Sequence, residues 1–183
     1  MIVFDLEIME PLFWVLEETK GVIQMEIHHP EGDVFTHSLQ VLQAAFRETI
    51  DTDLILAAML HDVGKTGNSH RHAKIALDLL DCHCSPKTLW LIKQHMRIWD
   101  LLLGQMRKKS KIEYLETHPW LSELIMLARW DKIGRNPRCR VVYDKEKIIE
   151  RLNLCVDKHF EFNLELAGKR GAEAGRRLRK EIT

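Results

Sequence analysis

Six side chains far apart in the sequence, His37, His61, Asp62, His72, His95 and Asp131, share a setting that ordinary packing does not explain. On a helix, residues three and four apart lie on one face. His37 has Val34 before it and Val41 after it, and His61 follows Leu54, Ala57 and Ala58, with Asp62 at the same helix end. His72 precedes Ile75, Ala76 and Leu79, while His95 lies between Leu91 and Ile92 on one side and Ile98 and Trp99 on the other. Asp131 follows Leu124, Leu127 and Ala128. One histidine on an apolar face is usually a hydrogen-bonded core residue, and one aspartate near a helix end is usually a cap. Two carboxylates and four imidazoles from five helices are different, because an unpartnered buried carboxylate is strongly unfavourable. No lysine or arginine is evident on the same faces, so the expected counter-charge is one or two divalent cations. The donors are nitrogen and oxygen without thiolate, a set that suits Mn, Fe, Co, Ni or Zn.

The elements that must carry these residues are helices. Pro11 to Lys20 reads as a short helix stopped by Gly21. Asp33 is placed to cap a helix to about Thr49, and Asp51 or Thr52 to cap one ending near His61. The polar run from Gly64 to Ser69 breaks the pattern before a helix from His70 to Asp81. Ser85-Pro86 supplies a cap and a first-turn proline for a helix to about Leu103. His118-Pro119 opens one to Ile133, Asp144 one to His159, and a basic helix follows Gly171. No alternating strand, repeat or low-complexity linker interrupts this reading. The expectation is an all-α, compact multi-helix bundle, one domain over residues 1–183 with its core at about 21–160 and a basic helix at about 170–181.

Bulk properties narrow the partners. The 183 residues are 45% hydrophobic and 30% charged, with 27 basic and 27 acidic residues. That zero balance argues against strong, sequence-independent duplex binding. Local basic clusters remain at Arg107, Lys108, Lys109 and Lys111, at Lys132, Arg135, Arg138 and Arg140, and at Arg176, Arg177, Arg179 and Lys180. Solvated faces are the usual role of such clusters. Cys82, Cys84, Cys139 and Cys155 have neither zinc-finger nor disulfide-frame spacing and read as reduced thiols. The first residues, MIVFDLE, are not a signal peptide, and no stretch reaches the roughly 18 apolar residues a membrane span needs. A cytoplasmic, soluble protein is expected.

His37, the adjacent pair His61-Asp62 and the distant Asp131 form the H…HD…D pattern that resembles the HD-domain metal-dependent phosphohydrolases. The stretches HHPEGDVFTHSLQVL (28–42), AAMLHDVGK (57–65), QHMR (94–97) and LARWDKIGR (127–135) look like those of the HD domain attached to bacterial CCA-adding tRNA nucleotidyltransferases. GAEAGRRLRK (171–180) is similar to their glycine-rich basic tail. The resemblance runs from about Gly21 to Lys180, strong in the motifs and loose between them. Nothing in the chain offers the Gly-Ser and paired-carboxylate motif of the nucleotidyltransferase head, so CCA addition is not expected of it. Trp130 stands where a small residue is expected, and the short stretch after Asp62 leaves His70 or His72 as the next ligand. Its neighbours Ile75 and Ala76 favour His72.

The resemblance implies hydrolysis of phosphate esters at this site, of the phosphatase, 2′-nucleotidase or 2′,3′-cyclic phosphodiesterase type. His37, His61, Asp62 and Asp131 would hold one metal, and His72 and His95 would complete a second site bridged by Asp62. Lys65 and, beside His95, Arg97 would contact phosphate, and Asp33 or Glu31 would support His37 from behind. The substrate would be a phosphate-ester small molecule or an RNA end. Two other readings use the same residues: a di-iron oxygenase, since some HD-fold proteins carry this six-ligand set, and a non-catalytic module in which metal stabilises the helices and the basic tail engages RNA.

Overall fold

In the computed structural model, residues 3–66, 71–159, 161 and 165 are described. The elements are α1 (Leu6–Glu17), α2 (Val34–Glu48), α3 (Thr52–Leu60), a 3-10 turn (Val63–Thr66), α4 (His72–Leu80), α5 (Pro86–Gln94), α6 (Arg97–Leu102), α7 (Lys109–Glu116) and α8 (Leu121–Ile133). A further helix, α9, runs over 145–159. The chain is all-α. Among the described residues the extended pairing is an isolated bridge between Ile23 and Asp33.

The architecture is organised around one helix. From Leu54 to Leu60 every residue of α3 is buried, which is the behaviour of a helix apolar on all sides. It packs against α1, α2, α5 and α8. Amphipathic partners close around it: α1 offers Met9, Leu12, Phe13 and Leu16, and α8 offers Leu124, Leu127 and Ala128. Because α3 lies at the centre, its C-terminal end delivers the adjoining residues, His61 and Asp62, into the interior.

Caps fix where the other ligand-bearing helices begin. Asp33 Oδ1 accepts from Thr36 N at 2.8 Å, and its Oδ2 accepts from Gly21 N at 2.8 Å, tying the 21–33 segment to the start of α2. Asp51 caps α3 through Leu54 N, and Ser85 caps α5 through Thr88 N ahead of Pro86. Each such cap is worth about 1 kcal/mol.

Four expectations need correcting. The first helix begins at Leu6 under an Asp5 cap and contains Pro11, rather than starting there. The helix expected from Pro86 to Leu103 is broken: α5 stops at Gln94 and α6 starts at Arg97. His118-Pro119 forms the turn before α8, which starts at Leu121. The basic stretch after Arg107 contains a helix, α7, that its weak apolar period did not announce. The expected helix after Gly171 lies outside the described residues. No helix among the described residues is long and apolar enough to cross a membrane.

Candidate metal centre

Two of the site histidines sit at helix ends for one physical reason. His61 is the C-cap of α3, and its Nδ1 lies 3.0 Å from the Ala58 carbonyl. His95 is the C-cap of α5, and its Nδ1 lies 2.6 Å from the Ile92 carbonyl. In each case the ring takes a carbonyl three residues back, one of the acceptors that a helix end leaves unfilled. This is why the helix expected to continue through His95 breaks there. The same bond fixes the tautomer: with Nδ1 donating to a carbonyl, Nε2 is left with a free lone pair aimed away from the helix.

The Nε2 atoms of four histidines converge on Asp62. Its Oδ2 lies 3.4 Å from His61 Nε2 and 3.8 Å from His37 Nε2. Its Oδ1 lies 3.6 Å from His95 Nε2 and 3.7 Å from His72 Nε2. Asp131 Oδ1 approaches His37 Nε2 to 3.1 Å. All six side chains are buried, His37 completely and Asp131 to 5% exposure. Residues from opposite ends of the matched sequence motifs therefore meet at one carboxylate. His70 lies outside the described residues, and His72 is the histidine that α4 brings to this place.

The donor set fits a metal ion. His37 Nε2 and His61 Nε2 are buried without a well-aligned hydrogen bond, although His37 Nε2 is close to Asp131. His72 Nε2 and His95 Nε2 lie 3.1 Å apart, close enough for one cation to take a nitrogen from each ring. Two groups of donors, His37–His61–Asp62 and Asp62–His72–His95, each bring one ligand atom per residue within 4.8 Å of the others, as does a third, His29–Glu31–His37. Among the described residues no cysteine joins them, and all four cysteines are free.

Electrostatics point the same way. Burial would lower the His37 pKa, but the carboxylates of Asp131, Glu31 and Asp62 prevail and push it up to about 9. Burial opposes ionisation of Asp62, yet His61, His95 and Lys65 hold its carboxyl well below the usual range. Burial likewise opposes ionisation of Asp131, and the His37 ring beside it holds it low. The carboxylates stay charged, and they demand positive charge from something.

Part of that charge is supplied by residues that their spacing had not paired with the acids. No basic group was expected on these faces, and this is corrected. Lys65 Nζ lies 2.6 Å from Asp62 Oδ2 and donates to Gln24 Oε1 at 2.6 Å. Arg135 Nη2 donates to Asp131 Oδ1 at 2.9 Å. Arg135 had appeared only within a basic cluster; its i,i+4 spacing from Asp131 on the end of α8 was the available signal. The loop holding it is fixed by the buried Gln40, which donates to the Asn136 and Cys139 carbonyls and accepts from Asn136 N. Arg97 is exposed and donates to Gln94 Oε1 at 3.4 Å, outside the hydrogen-bonding reach of the cluster.

Supports behind the ligands complete the geometry. His37 Nδ1 lies 3.0 Å from the Gly134 carbonyl and 2.9 Å from Glu31 Oε1, which also contacts His29 Nδ1 at 2.9 Å. Asp33, the other acid considered for this role, is occupied in capping. Two glycines allow the approach. A Cβ on Gly134 would stand 2.5 Å from Val41 Cγ2, and one on Gly64 would stand 1.9 Å from the His72 carbonyl oxygen. Trp130, the bulky residue before Asp131, is fully buried and donates its indole N–H to Glu48 Oε2 at 3.0 Å, so its size is absorbed on the side away from Asp131.

Comparison with known proteins agrees with this geometry. Among curated proteins, the chain is similar to three bacterial ones each named "Multifunctional CCA protein". The one from Methylococcus capsulatus is 38% identical over 87 residues, 44% of this chain and 20% of the relative. The one from Halorhodospira halophila is 49% identical over 45 residues, 25% of this chain and 11% of the relative. The one from Thioalkalivibrio sulfidiphilus is 35% identical over 80 residues, 40% of this chain and 20% of the relative. The chain thus spans a fifth or less of the length of these relatives. The family model described as the HD domain matches residues 34–136, a stretch that contains all six clustered side chains. The chain belongs to the HD-domain family, a superfamily of metal-dependent phosphohydrolases.

Proposed function

We propose that this protein hydrolyses phosphate esters of nucleotides or RNA termini, as a phosphatase, 2′-nucleotidase or 2′,3′-cyclic phosphodiesterase. The observation that carries this reading is the Asp62 carboxylate, with two histidine Nε2 atoms facing each of its two oxygens. His37, His61, Asp62 and Asp131 would hold one divalent ion, and His72 and His95, with Asp62 bridging, a second. Mn, Ni, Co, Fe and Zn all suit these donors. When bound, such ions polarise a phosphoryl oxygen, lower the pKa of water and neutralise charge building on the transferred group.

The chain's own residues do the positioning. The three backbone carbonyls behind His37, His61 and His95 hold the rings in one tautomer. Lys65 is fixed between Asp62 and Gln24, which leaves one of its three N–H bonds for a phosphoryl oxygen. Arg135, anchored on Asp131, offers a second cationic donor at the same edge. Both are stationed before substrate arrives, so little reorganisation is needed as negative charge develops. The relatives named multifunctional CCA proteins support a substrate in the nucleotide or RNA class.

The direct test is to assay purified protein with Mn, Ni, Co and Mg against linear and 2′,3′-cyclic nucleotides, alongside Asp62→Ala. Turnover that requires a metal and disappears in Asp62→Ala is expected. Inactivity with every metal, or activity that survives the substitution, sinks the reading. The same six side chains would also accommodate two irons, and iron content with metal-dependent oxygen consumption and an EPR signal would favour an oxygenase instead. Chelation that lowers thermal stability without any turnover would favour a structural metal.

A further inference from the structure

A second feature lies beside the metal centre and plays no part in the proposed mechanism. An open cleft of about 320 Å³ lies between α6 and α7, lined by Arg97, Asp100, Gln105, Arg107, Lys108 and Lys111. The chain reverses after α6 at Gly104, at φ +66, and Gln105 N and Met106 N both donate to the Asp100 carbonyl at 2.8 and 3.0 Å. That turn sets Arg107 and Lys108 on the same cleft as Arg97. Four cations meet one carboxylate there, and among the described residues no ion pair neutralises any of the four. Elsewhere the lysines and arginines near acids are paired: Lys65 with Asp62, Lys87 with Asp51 and Glu123, Arg135 with Asp131, Lys145 with Glu10 and Glu17. Concentrating like charge around a concavity is unfavourable unless an anion shares it.

An exposed aromatic ring stands one turn further along α7. Tyr114 stands three residues after Lys111, one helical turn along α7, and is 48% exposed. Its hydroxyl accepts from Trp90 Nε1 at 2.7 Å, and the Trp90 ring stacks on His118 at 3.7 Å and 12°. One end of the surface is close to the centre along the chain: Arg97 is two residues beyond His95, at most about 7.6 Å away. Cations that track a backbone, interleaved with rings that stack on bases, are what a single nucleic-acid strand requires.

We propose that the α6–α7 cleft binds the phosphodiester backbone of single-stranded RNA, with the exposed Tyr114 ring receiving an unpaired base, so that the strand's end is led to the metal centre. The proposal rests on the phosphohydrolase reading for what happens at that end, but the binding itself does not. With 27 basic residues against 27 acidic ones, affinity must arise from this local site rather than from the protein's overall field.

Fluorescence anisotropy with a fluorescein-labelled ten-nucleotide RNA tests it on the intact chain, without added metal. Lys108→Ala/Lys111→Ala is expected to weaken binding about tenfold and to reduce the slope of log affinity against log salt by about 1.4, two single-strand phosphate contacts. Tyr114→Ala is expected to cost about fivefold or more for the single strand. Lys147→Ala/Lys158→Ala, which removes the same charge from α9, serves as the comparison and is expected to change little. Equal losses in the two double variants, or duplex RNA bound as tightly as the single strand, would overturn the proposal. Because this assay needs no turnover, strand binding without hydrolysis would leave the cleft standing and remove the catalytic reading alone.

Discussion

The two sides of Asp62 are built differently. The Oδ2 side meets His37 from the interior of α2 and His61 from the end of α3, with Asp131 of α8 close to His37. These three helices pack directly on one another in the core. The Oδ1 side meets His72 and His95. His72 opens the nine-residue α4, which has no side-chain cap, and His95 closes the nine-residue α5. The first half is thus held by three helices that pack on one another, whereas the second includes α4, which has no side-chain cap and packs chiefly on α5 and the 3-10 turn. A carboxylate that both halves share makes one depend on the other, and the weaker half should fail first.

The largest effect expected is from removing what the halves share. Asp62→Ala should cost about a hundredfold or more in turnover and should abolish binding at both proposed sites, read by elemental analysis of metal content. Retention of two metals by this variant would break the comparison.

Next comes a change confined to the Oδ1 half. In Gly64→Ala the new methyl would stand 1.9 Å from the His72 carbonyl oxygen and 2.8 Å from Ala76 N, both backbone atoms that cannot rotate away. Displacement of α4 should cost about 1–3 kcal/mol of stability, seen as a lower midpoint in urea. It should also reduce the metal content of the His72–His95 side while the His37–His61 side still binds. Equal loss from both sides would show that the halves are not separable.

A smaller effect is expected behind the Oδ2 half. Glu31→Gln keeps the shape but removes the charge at 2.9 Å from His37 Nδ1, and loss of such an outer partner should weaken metal affinity about tenfold to a hundredfold. Competition with a chromophoric chelator measures this. An unchanged affinity would assign the orientation of His37 to the Gly134 carbonyl alone.

The smallest is a pH effect on metal-free protein. His37 is raised from 6.5 to about 9, so its ion pairs contribute stability that is fully present below pH 6.5 and is lost as the pH rises through about 9. Asp62 and Asp131 are depressed below 3.8, so theirs is present above that value and lost as the pH falls below it. Thermal unfolding across this range should show metal-free protein losing stability between about pH 6.5 and pH 9, and metal should remove that loss, because a coordinated Nε2 has no proton to give up. A flat alkaline limb in metal-free protein would show that His37 is neutral without the ion.

Much of this arrangement was legible from residue types and spacing. Asp33, Asp51 and Ser85 stand where helices must begin, and each caps the helix expected of it. The apolar neighbours of the four histidines and two aspartates placed them in the interior, where burial of such groups has to be compensated. That these six side chains are buried was legible from the same pattern. The break at His95 was not, since QHMR continues a helical period and only the turn of the ring onto the Ile92 carbonyl ends it. Nor was the pairing of Arg135 with Asp131, which depends on a loop held by Gln40 from a distant helix.

The amino-acid sequence by itself determined which polar side chains would need partners once buried, where helices start, and that the family's residue pattern is present. Those are local matters, set by backbone donors near a cap and by the period of apolar residues. Tertiary structure decided which oxygen of Asp62 each histidine meets, which cations reach the acids, and that the unpaired cations of α6 and α7 share one cleft. Such choices depend on how helices far apart in sequence cross one another, a geometry that packing of the whole interior fixes and no local spacing contains.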